Sequence, residues 1–69
     1  MATFENRLVE LRKEKGLTQS DLADSVNISR GALSLYELGT RKPDYETLVK
    51  IADYFNDSVD WLLGRTDNR

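Results

Sequence analysis

Residues Thr18 to Gly39, TQSDLADSVNISRGALSLYELG, decide the fold, because they predict two short helices joined by a tight turn. Thr18 is a favourable N-cap, and Asp21 stands three residues later, where the acid of a capping box belongs. Asn27 interrupts the apolar periodicity, and asparagine tolerates the left-handed backbone conformation that a turn requires. Ser29 is a second N-cap, and Gly39 is a typical residue to end the helix that follows.

Each of the two predicted helices has an apolar side that suits the core, and the opposite side of the second helix is unusual. Apolar residues recur at helical spacing on one side of each helix, namely Leu22, Ala23 and Val26 on the first and Ala32, Leu33 and Tyr36 on the second. The opposite side of the second helix holds small or flexible residues and a single charge: Ser29, Arg30, Gly31, Ser34 and Leu35. A solvated face usually carries several charges, whereas a helix that inserts into a DNA groove needs close approach. Spacing alone leaves both interpretations open.

The composition narrows the classes of function. The 69 residues include no cysteine and no histidine, so thiolate metal sites are excluded and the commonest general base is missing. The chain also has no nucleophile–base pair and no glycine-rich phosphate loop, so we expect no enzymatic activity, cofactor, metal or small-molecule substrate. No apolar run reaches the length of a membrane span and no signal-peptide pattern begins the chain, so a cytoplasmic protein without membrane association is expected.

Charge is distributed unevenly along the chain. The net charge is −2, which taken alone argues mildly against a nucleic-acid partner. Residues 1–42, however, carry seven basic and six acidic side chains, whereas residues 43–69 carry three basic and six acidic ones. The acidic C-terminal part can therefore face away from an anionic partner.

Three further helices are predicted around the central pair. Capping residues and apolar spacing place one helix within residues 3–16, another within 44–56 and a short one within 58–64. No stretch alternates with period two, so we expect no sheet. The chain is predicted to be a single all-α domain over residues 1–69, with a five-helix core at about 4–64 and a frayed polar tail at 65–69.

The central residues resemble those of the lambda-repressor-like (Cro/Xre-type) helix-turn-helix domains of phage and bacterial transcription regulators. The matching residues are Leu17-Thr18-Gln19, Leu22-Ala23, Val26, Ile28-Ser29, Leu33-Ser34, Tyr36-Glu37, Gly39 and Pro43. The closing stretch SVDWLLG, residues 58–64, is similar to that family's fifth helix. The resemblance implies a compact five-helix fold that binds double-stranded DNA sequence-specifically as part of a transcriptional regulator, most often a repressor.

The resemblance also implies roles for individual residues. The third helix would enter the major groove, and its base-reading positions correspond to Ser29, Arg30, Gly31, Ser34 and Leu35. Phosphate contacts would fall at the start of the second helix and after the third, at Thr18, Gln19, Thr40, Arg41 and Lys42. We also expect phosphate contacts from the two cations late in the first helix, Arg12 and Lys13. A cation at the end of a helix also complements the helix dipole, so this position alone does not require a DNA contact.

Two of these residues carry further expectations. Arg30 at the start of a helix is unfavourable for the helix dipole, so guanine recognition is a better explanation for it than a tolerated surface arginine. In the family that the chain resembles, the positions of Arg12 and Glu37 approach each other, and an ion pair between the first and third helices is therefore implied.

A lone domain is expected to bind DNA only modestly. The net charge is low for a DNA-binding domain, and Leu38 stands where relatives often carry a residue that contacts phosphate. We therefore expect a homodimer, at least on DNA, and a palindromic operator, with Val59, Trp61 and Leu62 as the dimer seam; the same apolar residues also suit a core position. The alternative function is a protein-interaction module, such as an antitoxin or an adaptor, on the same helical fold.

Overall fold

A computed structural model describes residues 2–69. The helices, in chain order, are α1 (Phe4–Glu14), α2 (Gln19–Ser25), α3 (Arg30–Leu38), α4 (Tyr45–Phe55) and α5 (Val59–Leu62). The described part of the chain contains no strand, and the all-α, five-helix prediction is confirmed. Across residues 2–69, every helix is too short or too polar to cross a membrane.

Each helix begins at a side chain that caps its first turn. Thr3, Thr18, Ser29, Asp44 and Ser58 each accept a hydrogen bond from the backbone N–H three residues later. Thr18 and Asp21 form the predicted capping box, since each side chain accepts from the other residue's backbone N–H at 3.0 Å. One such cap stabilises a helix by about 1 kcal/mol, so the helix starts follow from local sequence.

The turns after α2 and α3 need a left-handed backbone. Asn27 has a φ of 59°, which confirms its predicted role in the turn between the central helices. Gly39 ends α3 with a φ of 80°, and a Cβ at this position would also collide with the carboxylate of Glu5. The Glu5 side chain can rotate away from a Cβ, so the direction of the chain after α3 depends on Gly39 chiefly through its left-handed backbone.

All five helices contribute to one core. Its largest fully buried side chains are Leu8, Leu11, Leu22, Leu33, Ile51 and Leu62. α3 packs against both α1 and α2, while α5 packs against α1 and α4. The outer face of α3 is therefore presented by a helix that is held from behind on two sides.

The C-terminal part differs from its prediction in two respects. Trp61 is 4% exposed and Leu62 is 0% exposed, so both belong to the core of the monomer. The prediction that these two residues form the dimer seam is therefore wrong. Val59 is half-buried and packs against that core. The tail is not frayed either, because Arg69 bonds to Glu14 and to Asp57 and thereby fastens residues 65–69 to the helices.

A buried arginine explains part of this arrangement. Arg7 lies on the apolar side of α1 and donates hydrogen bonds to the backbone oxygens of Trp61 and Thr66, the latter at 2.6 Å. It also pairs with Asp67 at 2.7 Å, and its guanidinium carbon lies 4.4 Å from the centroid of the Trp61 ring. These partners compensate the buried charge and join α1 to α5 and the tail. The sequence signal for this role was an arginine between Phe4 and Leu8 on an apolar helix face.

Candidate nucleic-acid interface

The outward face of α3 is accessible to solvent. Of the five predicted base-reading residues, Ser29, Arg30 and Gly31 are exposed, Ser34 is half-buried and Leu35 is 40% exposed. Ser29 also caps the helix, since its Oγ accepts the N–H of Ala32 at 3.0 Å. Arg30 enters no ion pair within residues 2–69, so its guanidinium remains available to an outside acceptor.

Packing does not require a glycine at position 31. A Cβ at Gly31 would have Ser29 Oγ, 4.0 Å away, as its nearest neighbour, and the backbone there is an ordinary right-handed helix. A glycine inside a helix costs about 0.5–1 kcal/mol relative to alanine. The packing of the fold therefore does not explain why glycine stands at position 31. A surface that another molecule approaches closely would explain it, because glycine leaves the backbone uncovered.

The exposed cations of the candidate interface have no ionic partner inside the described chain. This group consists of Lys13, Arg30, Arg41 and Lys42, which are all exposed and form no ion pair within residues 2–69. By contrast, Arg7, Arg65 and Arg69 each pair with an acidic side chain. Unpaired positive charge thus remains at the end of α1, on α3 and in the loop after α3, although the net charge of the chain is negative.

The loop after α3 begins with a fixed residue. Thr40 donates to the backbone oxygen of Leu35 through its N–H at 3.1 Å and through its hydroxyl at 3.3 Å. Glu5 lies beside this loop, and its pKa is lowered mainly by a hydrogen bond to its own backbone N–H, further by the Thr3 hydroxyl and least by the charge of Lys42. Arg41 and Lys42 therefore follow a fixed residue and lie near two acids, since the charge of Lys42 acts on Glu5 and, after the larger effect of its hydrogen bonds with Thr47, the pKa of Asp44 is lowered further by the charge of Arg41.

Arg12 does not serve the predicted phosphate contact. Its Nε donates to Glu37 at 2.7 Å, one terminal nitrogen donates to Glu37 at 3.1 Å, and the other donates to the backbone oxygen of Leu17 at 2.9 Å. The side chains of Arg12 and Glu37 are 16% and 6% exposed. The implied pair between α1 and α3 is confirmed, and Arg12 has to be removed from the phosphate contacts because its guanidinium is committed to the fold.

Gln19 and Thr18 lie together at the start of α2. The amide nitrogen of Gln19 donates to Glu37 at 3.0 Å, a contact that the sequence did not reveal. The capping box engages Thr18, and the hydrogen bonds from its backbone N–H and then its hydroxyl lower the pKa of Asp21. The first N–H groups of a helix have no intrahelical acceptor, so this end of α2 still offers donors to an anion.

Comparisons with known proteins identify the family. A family model described as helix-turn-helix matches residues 8–62. The chain is 45% identical over 65 residues to the uncharacterized HTH-type transcriptional regulator YqaE of Bacillus subtilis (strain 168). The aligned region covers 94% of this chain and 56% of the relative. The chain spans about half the length of the curated relatives that it matches.

Solved structures share the fold. A transcriptional regulator from Listeria innocua superposes with a TM-score of 0.86 at 34% identity, covering 97% of this chain and 63% of the other. The P22 c2 repressor, solved in complex with synthetic operator 9T, superposes with a TM-score of 0.86 at 27% identity, covering 91% of this chain and 96% of the other. The predicted lambda-repressor-like fold is confirmed, and the proteins that the chain resembles are named as transcriptional regulators and a repressor. The chain belongs to the helix-turn-helix family, as a lambda-repressor-like (Cro/Xre-type) domain of the kind that bacterial and phage transcriptional regulators carry.

Proposed function

We propose that this chain binds double-stranded DNA sequence-specifically and supplies the DNA-binding domain of a transcriptional repressor. The observation that carries the proposal is the outer face of α3, which is exposed, built from small residues and provided with one unpaired arginine, Arg30. A related fold, that of the P22 c2 repressor, was solved with its synthetic operator. Because its target is DNA, the domain works in the cytoplasm.

In this proposal α3 lies in the major groove. Arg30 donates two hydrogen bonds to the O6 and N7 of one guanine, and Leu35 contacts a thymine methyl group. Ser29 and Ser34 supply hydroxyl groups to neighbouring base edges, and Gly31 allows the backbone to come close. The fold supports this assignment because α3 is held rigidly from behind by α1 and α2.

Phosphate contacts surround this helix. They come from the exposed cations Lys13, Arg41 and Lys42 and from the second amide N–H of Gln19. Thr18 and Thr40 would join them by exchanging the hydrogen bonds of their hydroxyl groups to Asp21 and Leu35 for phosphate contacts. These residues lie at the end of α1, at the start of α2 and in the loop after α3. Apart from Asp44, which lies in the loop after α3, the acidic residues of the C-terminal part belong to α4, α5 and the segments that follow them, so the negative net charge is compatible with DNA binding.

One domain reads few base pairs, and we therefore propose a homodimer on a palindromic operator. Trp61 and Leu62 are buried in the monomer and cannot form its contact. The large apolar side chains left for that contact include Tyr45 and Val49, which are 88% and 46% exposed and lie one turn apart on α4, and Leu63 after α5.

The proposal is tested by selecting bound fragments from random and genomic DNA with the purified chain. A recurrent two-fold sequence motif is the expected result. A variant with Arg30→Ala serves as the matched control, because Arg30 is exposed and makes no ion pair that the fold needs. Recovery of no motif would contradict the proposal and favour the protein-interaction module.

A further inference from the structure

One oxygen of the Glu37 carboxylate receives hydrogen bonds from two other helices. Oε1 accepts from a terminal nitrogen of Arg12 at 3.1 Å and from the amide nitrogen of Gln19 at 3.0 Å. The second oxygen, Oε2, accepts from Arg12 Nε at 2.7 Å. The carboxylate is therefore fixed by α1 and in turn holds the first residue of α2.

This contact restricts a side chain that is mobile in water. Glutamine is among the side chains that lose much rotamer freedom when they are fixed. Gln19 is half-buried, and one of its two amide N–H groups is used by Glu37, so the second N–H and the amide oxygen remain for an outside partner. Ordering before binding raises affinity because the entropy is not lost in the complex.

We propose that Glu37 is a positioning residue, which orders the Gln19 amide in the free protein so that its second N–H meets a DNA phosphate. This inference rests on the proposed function. Glu37 itself does not touch DNA, since its side chain is 6% exposed and its negative charge would repel a phosphate. Arg12 contributes by holding the carboxylate in place from α1.

The first test needs no substitution. Gln19 is the only glutamine in the chain, so the side-chain amide signals of glutamine in an NMR spectrum belong to it alone. We expect its amide order parameter in the free protein to approach that of the backbone, and the order parameter of the exposed Asn6 side-chain amide to be much lower. A Gln19 amide as mobile as that of Asn6 would overturn the proposal.

The second test separates positioning from general stabilisation. The variants Arg12→Met/Glu37→Gln and Arg12→Met/Glu37→Met both lack the ion pair and carry no unpaired charge at these positions, but only the first retains an acceptor for Gln19. Affinity for the selected duplex, measured well below the melting temperature of each variant, should be about threefold to tenfold higher for the variant that keeps the acceptor. With Gln19→Met added to both variants, this difference should vanish.

Each outcome has a definite meaning. If the two variants bind equally, or if their difference persists after Gln19→Met, Glu37 does not act through Gln19 and the proposal fails. If the wild-type chain binds no duplex DNA even at low salt, the proposed function fails instead, and the DNA role of Gln19 fails with it. The NMR measurement still shows in that case whether the Gln19 amide is ordered in the free protein.

Discussion

The guanidinium of Arg12 in α1 donates to both carboxylate oxygens of Glu37 in α3, although 25 residues separate them in the chain. A further donor of Arg12 satisfies the backbone oxygen of Leu17, in the turn before α2. One side chain thus joins the first helix to the proposed recognition helix and to the segment between α1 and α2. The contact therefore adds a polar link to the apolar packing of α3 on α1 and α2, which together orient the helix.

Arg12→Ala should destabilise the fold much more than Lys13→Ala. Removal of Arg12 leaves the nearly buried Glu37 charge without its main partner, and breaking a buried pair in this way costs about 3 kcal/mol. Lys13 is exposed and forms no ion pair within the described residues, so its loss should change stability by less than about 0.5 kcal/mol. Urea denaturation of the two variants measures the difference, and equal midpoints would disprove the role of the pair.

The sequence predicted those parts of the fold that short-range chemistry controls. The N-caps, the capping box at Thr18 and the turn at Asn27 depend on residues within three or four positions of each other, and all of them occur as expected. The packing of the tail and the role of Arg7 do not follow from local patterns, because Arg7–Thr66, Arg7–Asp67 and Arg69–Glu14 join residues more than fifty positions apart, and even Arg69 and Asp57 are 12 positions apart. No local pattern distinguishes a tail that packs on α1 from one that frays.

The candidate site was predictable only in its outline. Helical spacing alone selected the outer face of α3, and the structure leaves that face accessible. The resemblance implies the pair of Arg12 with Glu37, but not that this pair and Leu17 occupy the whole guanidinium, so Arg12 is wrongly expected to contact phosphate as well. Spacing does not reveal the bond from Gln19 to Glu37. Trp61 and Leu62 were ambiguous for a similar reason, since an apolar residue on a short helix suits a core and an interface equally well.

Arg69→Ala should destabilise the fold at neutral pH and less so in acid. The hydrogen bond from Arg69 is the main reason that the pKa of Asp57 lies below its ordinary value of 3.8. A carboxyl group with a lowered pKa stabilises the fold above its unfolded-state pKa, and this contribution is lost as the pH falls through the folded-state pKa. The difference in melting temperature between wild type and Arg69→Ala should therefore be largest near pH 7 and shrink below about pH 4.

Arg65→Ala is the matched control for the tail. Arg65 Nε lies 3.7 Å from Asp60 Oδ1, and both side chains are largely exposed. This ion pair should therefore contribute little to the stability of the fold at any pH. Some effect of Arg69→Ala should survive in acid, because its guanidinium carbon also lies 4.4 Å from the centroid of the Trp61 ring. A difference in melting temperature that does not vary with pH would show that Asp57 is not the partner that matters.

DNA binding should weaken steeply with salt. Each phosphate that a cation neutralises contributes a log–log slope of about −0.9. Replacing Arg41 or Lys42 by alanine should therefore reduce the slope by about one unit and lower the affinity for all sequences alike. Fluorescence anisotropy titrations over a range of NaCl concentrations measure the slope, and an affinity for duplex DNA that does not depend on salt would contradict the phosphate contacts.

The operator should show two-fold symmetry. Two copies of α3 that enter successive major grooves on one side of the duplex require half-sites about 34–36 Å apart. Tyr45→Glu, which changes a residue of α4 that is 88% exposed, should weaken binding to the two-half-site operator more than to a single half-site if α4 joins the copies. Footprints that cover one half-site, with no two-fold repeat in the selected sequences, would rule the dimer out.

Arg30→Ala should relax sequence preference rather than weaken all binding equally. A guanidinium that donates two hydrogen bonds to one guanine discriminates against a wrong base by about 1–3 kcal/mol. The loss should therefore be larger for the operator than for unrelated DNA, and it should fall on one base pair in each half-site. Competition titrations against a set of single-base operator variants measure this pattern. Stability should hardly change, because Arg30 is exposed and lacks an ionic partner in the described chain.

Arg41→Ala is the control that distinguishes a base contact by Arg30 from a phosphate contact. Arg41 is also exposed but lies in the loop beyond α3, where a phosphate contact would weaken specific and non-specific binding in parallel. If Arg30→Ala behaves like Arg41→Ala and keeps the full preference at every position, Arg30 contacts phosphate and not a base. Specificity would then have to come from Ser29, Ser34 and Leu35 together with sequence-dependent DNA shape. The glycine at position 31 would still be needed in that case, because readout through shape also requires the backbone of α3 to lie close to the groove.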